Sequence, residues 1–274
     1  MESIHGAMRY WLVEHPTVSD FEWKNGTTWG ASLQFLIPTV STYLSLTFLL
    51  SHSPLPTLRP SVLRLASTVH NFTILLLSLL MAVGCSLSAL SQLPHPQWIF
   101  CFPSNQIPPR GPLFFWAYVF YISKIIEFVD TLLIILAGSI RRLSFLHVYH
   151  HATVVVMSYI WLETSQSLFP IALVTNASVH TLMYAYYLLS GLGFRPSWKR
   201  LVTDCQIIQF VISFLLSGVM LFYHFARFRC SGIWGWCFNA IFNASLLYLF
   251  VDFHSKNYAR KKLLQNGEDK PKSS

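Results

Sequence analysis

The stretch LSFLHVYHHATVVVMSYIW, residues 143–161, sets three histidines inside a run that is otherwise long and apolar enough for a membrane helix. The rest of the chain decides which solvent those histidines meet. Its 274 residues are 53% hydrophobic and only 11% charged, against roughly a quarter charged in soluble proteins, and its mean hydropathy is +0.47. Apolar windows of about the 20 residues a bilayer core requires fall near 29–50, 62–90, 112–137, 143–161, 168–189, 203–223 and 233–253. The expected fold class is therefore all-α: a polytopic membrane protein built as a seven-transmembrane-helix bundle.

Basic residues flanking the spans set the orientation, because Lys and Arg are retained on the cytoplasmic side. With seven spans, thirteen of the nineteen basic residues collect on one face, among them Arg59, Arg141, Arg142, Lys199, Arg200, Lys256 and Arg260. The opposite face holds only Arg9, Lys24, Arg110, Arg227 and Arg229, while Lys124 lies within a span. The expected order is a lumenal N-terminal segment (1–28), a seven-helix membrane domain (29–254) and a cytosolic basic tail (255–274). No signal peptide is read before the first span. The sequon at Asn25 falls on the lumenal side, as a glycosylation site would require. Cys101 and Cys230 are the two cysteines in loops, both lumenal, where an oxidising space favours a bridge; two unpaired thiols are the alternative. The final KPKSS looks like a dilysine retrieval signal for the endoplasmic reticulum, with a solvated basic tail as the alternative. No nucleic-acid module is visible. The net charge of +8 would attract anionic membrane lipids or a phosphorylated substrate.

Ionisable groups inside spans are costly and mark function by default. KIIEFVDT carries Lys124, Glu127, Asp130 and Thr131 on one broad helix face. HVYHH puts His147, His150 and His151 at i, i+3, i+4. NASVHTLMYAYY lines up Asn176, His180, Tyr184 and Tyr187, and TDCQIIQ adds Gln206 and Gln209. Four successive helices thus each bear a polar stripe, and facing one common cavity buries all four. His70, His224 and His254, near span ends, read as packing or interface residues. Two chemistries suit the cluster: a metal on His147, His150, His151 and His180, or acyl transfer through a neutral imidazole.

In order and spacing these four blocks resemble the signatures KxxExxDT, HxxHH, NxxxHxxMYxYY and TxxQxxQ of the ELO family of very-long-chain fatty acid elongases. ALVTNASVH and GIWGWCFNA resemble its plant branch. The resemblance implies a seven-helix enzyme of the endoplasmic reticulum membrane with a cytosolic C-terminus. Such an enzyme condenses acyl-CoA with malonyl-CoA to 3-oxoacyl-CoA, CO2 and CoA, with no cofactor and no metal. A 3-oxoacyl-CoA reductase, a dehydratase and an enoyl-CoA reductase would be its partners, and a homodimer stays open. By resemblance a histidine of the box takes the acyl group, here assigned to His150. His180 would activate the second substrate, while His147 and His151 shape the pocket. Glu127 and Asp130 would orient imidazoles and Lys124 would neutralise both carboxylates. Asn176, Gln206, Gln209, Tyr184 and Tyr187 are candidate donors to the thioester or enolate oxygen. Arg141, Arg142, Lys199, Arg200, Lys256 and Arg260 would form a CoA mouth. A metal-dependent desaturase or hydroxylase and a transporter-like bundle are the alternatives.

Overall fold

The computed structural model describes residues 2–53, 58–93, 95–104, 106–227 and 229–256. Arg260 and the dilysine pattern lie outside them. Among the described residues every regular element is helical. Two short helices, α1 (Glu2–Arg9) and α2 (Pro16–Ser19), precede α3 (Leu33–His52), α4 (Pro60–Gln92), α5 (Pro112–Ile126), α6 (Phe128–Leu136), α7 (Phe145–Thr164), α8 (Phe169–Gly191), α9 (Lys199–Ala226) and α10 (Ile233–His254). Serine caps start two of them: Ser32 and Ser144 accept from the amides of Phe35 and His147. Prolines open α4 and α5, where a missing N–H costs nothing.

Four helices, α3, α4, α9 and α10, are long and apolar enough to cross a membrane by length and composition. Their outer faces show large apolar side chains such as Phe48, Leu65, Leu215 and Tyr248, whereas Lys124, Glu127, Thr131 and His180 are buried. Apolar outside and ionisable inside is the arrangement a lipid solvent selects. The polar stripes are carried by α5 to α9; α5 and α6, of 15 and 9 residues, are each too short to span alone. The window at 112–137 is not one helix. It breaks at Glu127 (φ −63°, ψ −11°), the residue that ends α5 and caps α6. Gly84 lets α4 approach α5 closely, since any Cβ there would overlap the indole of Trp116.

The two ends of the bundle differ. At one, Cys101 and Cys230 are joined by a disulfide with Cα atoms 5.0 Å apart. The Ser231 amide donates to Phe102 O over 2.7 Å, and Ser167 Oγ donates to Ser231 O over 2.9 Å. Gly232 takes a left-handed φ of +70° there, where any Cβ would overlap the Gln166 backbone. Residues 12–23 are packed onto this end, with Val13, Val18 and Trp23 buried. The Trp23 indole donates to Glu163 over 3.2 Å, and the Trp116 indole donates to Leu12 O over 2.9 Å. Asn25 is exposed in the turn that follows. The opposite end carries the exposed Arg141, Arg142, Lys199 and Arg200.

Candidate active site

The break at Glu127 organises the charges. Lys124 Nζ donates to Glu127 Oε1 over 2.6 Å, with both side chains sealed from solvent. The ring of Phe120 lies 4.5 Å beneath the ammonium. From α8, His180 brings Nδ1 within 3.4 Å of both Lys124 Nζ and Glu127 Oε1. A buried carboxylate left without such partners would be expensive. Glu127 thus orients His180, and Lys124 compensates Glu127.

Asp130 has different partners. Its Oδ2 accepts from the Tyr184 hydroxyl over 2.5 Å, and its Oδ1 lies 3.1 Å from Nε2 of His70. Of the two carboxylates that Lys124 is expected from sequence to neutralise, it hydrogen-bonds Glu127 and not Asp130. The turn between α5 and α6 separates the two acids, and His70, reaching across from α4, is the basic group that meets Asp130. Sequence alone suggests a packing role for His70, because a lone histidine in an apolar run has no periodic partner to betray it. Thr131 links two further helices, since its Oγ1 lies 2.9 Å from His147 Nε2 and 3.0 Å from the Tyr43 hydroxyl.

The histidine box sits in the first two turns of α7. The rings of His147 and His151 are 4.4 Å apart, those of His150 and His151 5.5 Å. His147 is tied to Thr131, whereas Nδ1 of His150 and Nδ1 of His151 have no hydrogen-bond partner among the described residues. His150 alone of the three lines a small pocket, about 40 Å³, between α7, α8, α9 and α10. Val154, Met157 and Phe242 give it apolar walls, and Asn176 and Gln209 present buried oxygens without partners. A larger cleft of about 360 Å³, lined by Trp98, Arg110 and Phe114 among others, opens at the disulfide end, away from the histidines.

Of the five candidate oxygen donors, Asn176 and Gln209 reach the pocket. The Gln206 amide donates to Met183 Sδ instead, at 3.6 Å. The Tyr184 hydroxyl donates a hydrogen bond to Asp130, and Tyr187, 44% exposed, stands edge-on to the Tyr184 ring. Among the proposed CoA contacts, Arg200 lies 3.6 Å from Asp204 and Lys256 donates to Asp252 over 2.7 Å. That carboxylate raises the pKa of the exposed Lys256 ammonium above its ordinary value. Among the described residues no three His, Cys, Asp or Glu side chains group as a metal centre requires.

A family model for the ELO, GNS1/SUR4 family matches residues 28–266. "Fatty acid elongase 3-like" of Arabidopsis thaliana is 28% identical over 92% of this chain and 92% of its own length. "Fatty acid elongase A" of Dictyostelium discoideum is 32% identical over 95% of this chain and 97% of its own. "Very long chain fatty acid elongase 5" of Xenopus laevis is 35% identical over 54% and 52%. With its family match running through the helices that carry the histidine box and the buried carboxylates, the chain belongs to the ELO, GNS1/SUR4 family.

Proposed function

We propose that the protein is the condensing enzyme of very-long-chain fatty acid elongation, an acyltransferase that joins acyl-CoA to malonyl-CoA and releases 3-oxoacyl-CoA, CO2 and CoA. Family membership and elongase-named relatives spanning nearly the whole chain support the activity. One observation carries the mechanism: of the three box histidines, His150 alone opens on the small pocket between α7, α8, α9 and α10, with an apolar wall beside it.

In this reading the thioester carbonyl meets the imidazole of His150, next to the apolar Val154, Met157 and Phe242. The imidazole attacks the carbonyl carbon, the C–S bond breaks, and CoA leaves as thiolate; the imidazole N–H proton balances it. Malonyl-CoA then loses CO2, and the electron pair of that C–C bond becomes an enolate. The enolate attacks the acyl-imidazole and frees His150. Exclusion of water keeps the enolate from being quenched. His180, held by Lys124 and Glu127, is oriented to stabilise charge on the second substrate. Asn176 and Gln209 reach the same pocket, where their amide N–H groups can receive developing negative charge.

The seven-span reading treats α5 with α6 as one broken span and adds α7 and α8 to the four apolar helices. It places the disulfide and Asn25 in the lumen of the endoplasmic reticulum and the Arg141, Arg142, Lys199, Arg200, Lys256 and Arg260 face in the cytosol, where CoA is. The elongation reductases and dehydratase would take the product on that side. Purified protein given malonyl-CoA and a ladder of acyl-CoAs should yield products two carbons longer, identified by mass. Release of CO2 without extension, or ligand binding without turnover, would contradict the assignment. A C-terminal epitope protected from protease in sealed microsomes would overturn the orientation.

A further inference from the structure

The connection from α6 into α7 reads Arg141-Arg142-Leu143-Ser144-Phe145, and the condensation makes use of its arginines alone. Ser144 caps α7: its Oγ accepts from the His147 amide over 3.2 Å. It is exposed all the same, as are Arg141, Arg142 and Phe145. Its backbone is extended, with φ −77° and ψ 160°. The turn before it, Ile140–Arg142, is tied by bonds within the connection, since Arg142 N donates to Ser139 O, Leu143 N to Ile140 O and Ser144 N to Arg142 O. A segment so tied opens at little cost.

Kinases choose their substrates partly by charge pattern. Arginines three and two residues before a hydroxyl, with an apolar side chain directly after it, suit a kinase whose substrate groove is acidic and has an apolar pocket beyond. A phosphate on Ser144 would carry about 1.5 to 2 negative charges. Among the described residues Arg141 and Arg142 are not ion-paired, whereas Arg200 and Lys256 meet Asp204 and Asp252. The phosphate would therefore engage both arginines and withdraw them from CoA, whose own phosphates it would also repel. α7 would not suffer, because negative charge suits a helix N-terminus. His150 lies six residues further along, a rise of about 9 Å, so the box keeps its geometry while the mouth loses its charge.

We infer that Ser144 is a phosphorylation site for an arginine-directed serine kinase, and that its phosphate closes the basic mouth to CoA. Ser144 Oγ attacks the γ-phosphorus of ATP, the bond from that phosphorus to the bridging oxygen breaks, ADP leaves, and the hydroxyl proton passes to a carboxylate of the kinase. The inference deepens the condensing-enzyme reading and rests on its placing this end, with the CoA mouth, in the cytosol.

Purified, phosphatase-treated protein is given ATP and the catalytic subunit of cyclic-AMP-dependent protein kinase. The wild type should gain a phosphate mass on the peptide spanning residues 143–161, and Ser144→Asn should gain none there. No phosphate on that peptide of the wild type overturns the site. Binding of octadecanoyl-CoA is then compared between the phosphorylated and phosphatase-treated forms. The phosphorylated form should bind roughly fivefold more weakly, and the gap should narrow at high salt, where surface charges are screened. Equal binding by the two forms overturns the closure. Ser144→Asp and Ser144→Asn both supply a capping oxygen and differ by one charge, so the Asp variant should show a KM for acyl-CoA roughly two- to threefold above that of the Asn variant, with kcat alike. Equal KM in the two variants would leave Ser144 a cap alone and overturn its control of the mouth. Phosphate uptake and binding need no turnover: a protein that takes phosphate at Ser144 and then holds acyl-CoA more weakly, yet extends no chain, supports the site while the condensing reading fails.

Discussion

Lys124 and Glu127 form an ion pair 2.6 Å long with side chains 1% and 0% exposed, at the point where α5 gives way to α6. Such a pair is stable because neither charge has another outlet. Removing one partner leaves the other buried and uncompensated, a loss of about 3–5 kcal/mol. Lys124→Met should therefore unfold far more easily in detergent than the wild type. Adding Glu127→Gln to it should recover most of the loss. Simple addition of the two single costs in a double-mutant cycle would contradict the pairing.

Asp130 lies between His70 and Tyr184, and His70 is the residue the sequence reading undervalued. His70→Leu removes a hydrogen bond to a charged acceptor, worth about 1.5–3 kcal/mol. His70→Gln keeps an N–H donor near the same carboxylate and should lose less. Thermal unfolding of the two variants separates them. Equal losses for Leu and Gln would mean that His70 only fills space.

The disulfide between Cys101 and Cys230 closes a loop with a sequence separation of 129. It restricts the unfolded chain, and its loss should cost about 2–4 kcal/mol. Cys101→Ser, Cys230→Ser and the double variant should be destabilised equally, because each removes the same single bond. Both thiols alkylatable in unreduced, denatured protein would rule the bridge out.

Much of this was legible in the chain. The apolar windows anticipate α3, α4 and α7 to α10 to within a few residues, because twenty-residue apolar runs have few other uses. The stripes of α7 and α8 were visible as i, i+3, i+4 spacings, and Lys124 with Glu127 as an i, i+3 pair. What was hidden depends on tertiary contact. The break at Glu127 carries no proline or glycine, so hydropathy runs through it unmarked. Tyr43, Thr131 and His147 form a chain only because α3, α6 and α7 meet. Gln206 belongs to the TxxQxxQ pattern as fully as Gln209 does, yet packs on Met183. The first 28 residues read only as an extramembrane segment, and Trp23 and Leu12 anchor that segment through single contacts that no periodicity announces.

The central claim is that His150 carries the acyl group, and it is tested before malonyl-CoA is ever added. Covalent catalysis divides the condensation into two half-reactions. Acyl-CoA alone should therefore release CoA and leave an acyl mass on the peptide spanning residues 143–161. Malonyl-CoA should then discharge it. His150→Gln should abolish the adduct, whereas His180→Ala should slow turnover and retain loading. Mass spectrometry of that peptide decides the matter: acyl mass on His150 that malonyl-CoA removes is the predicted result, and an enzyme that extends its substrate while residues 143–161 never gain acyl mass would contradict it.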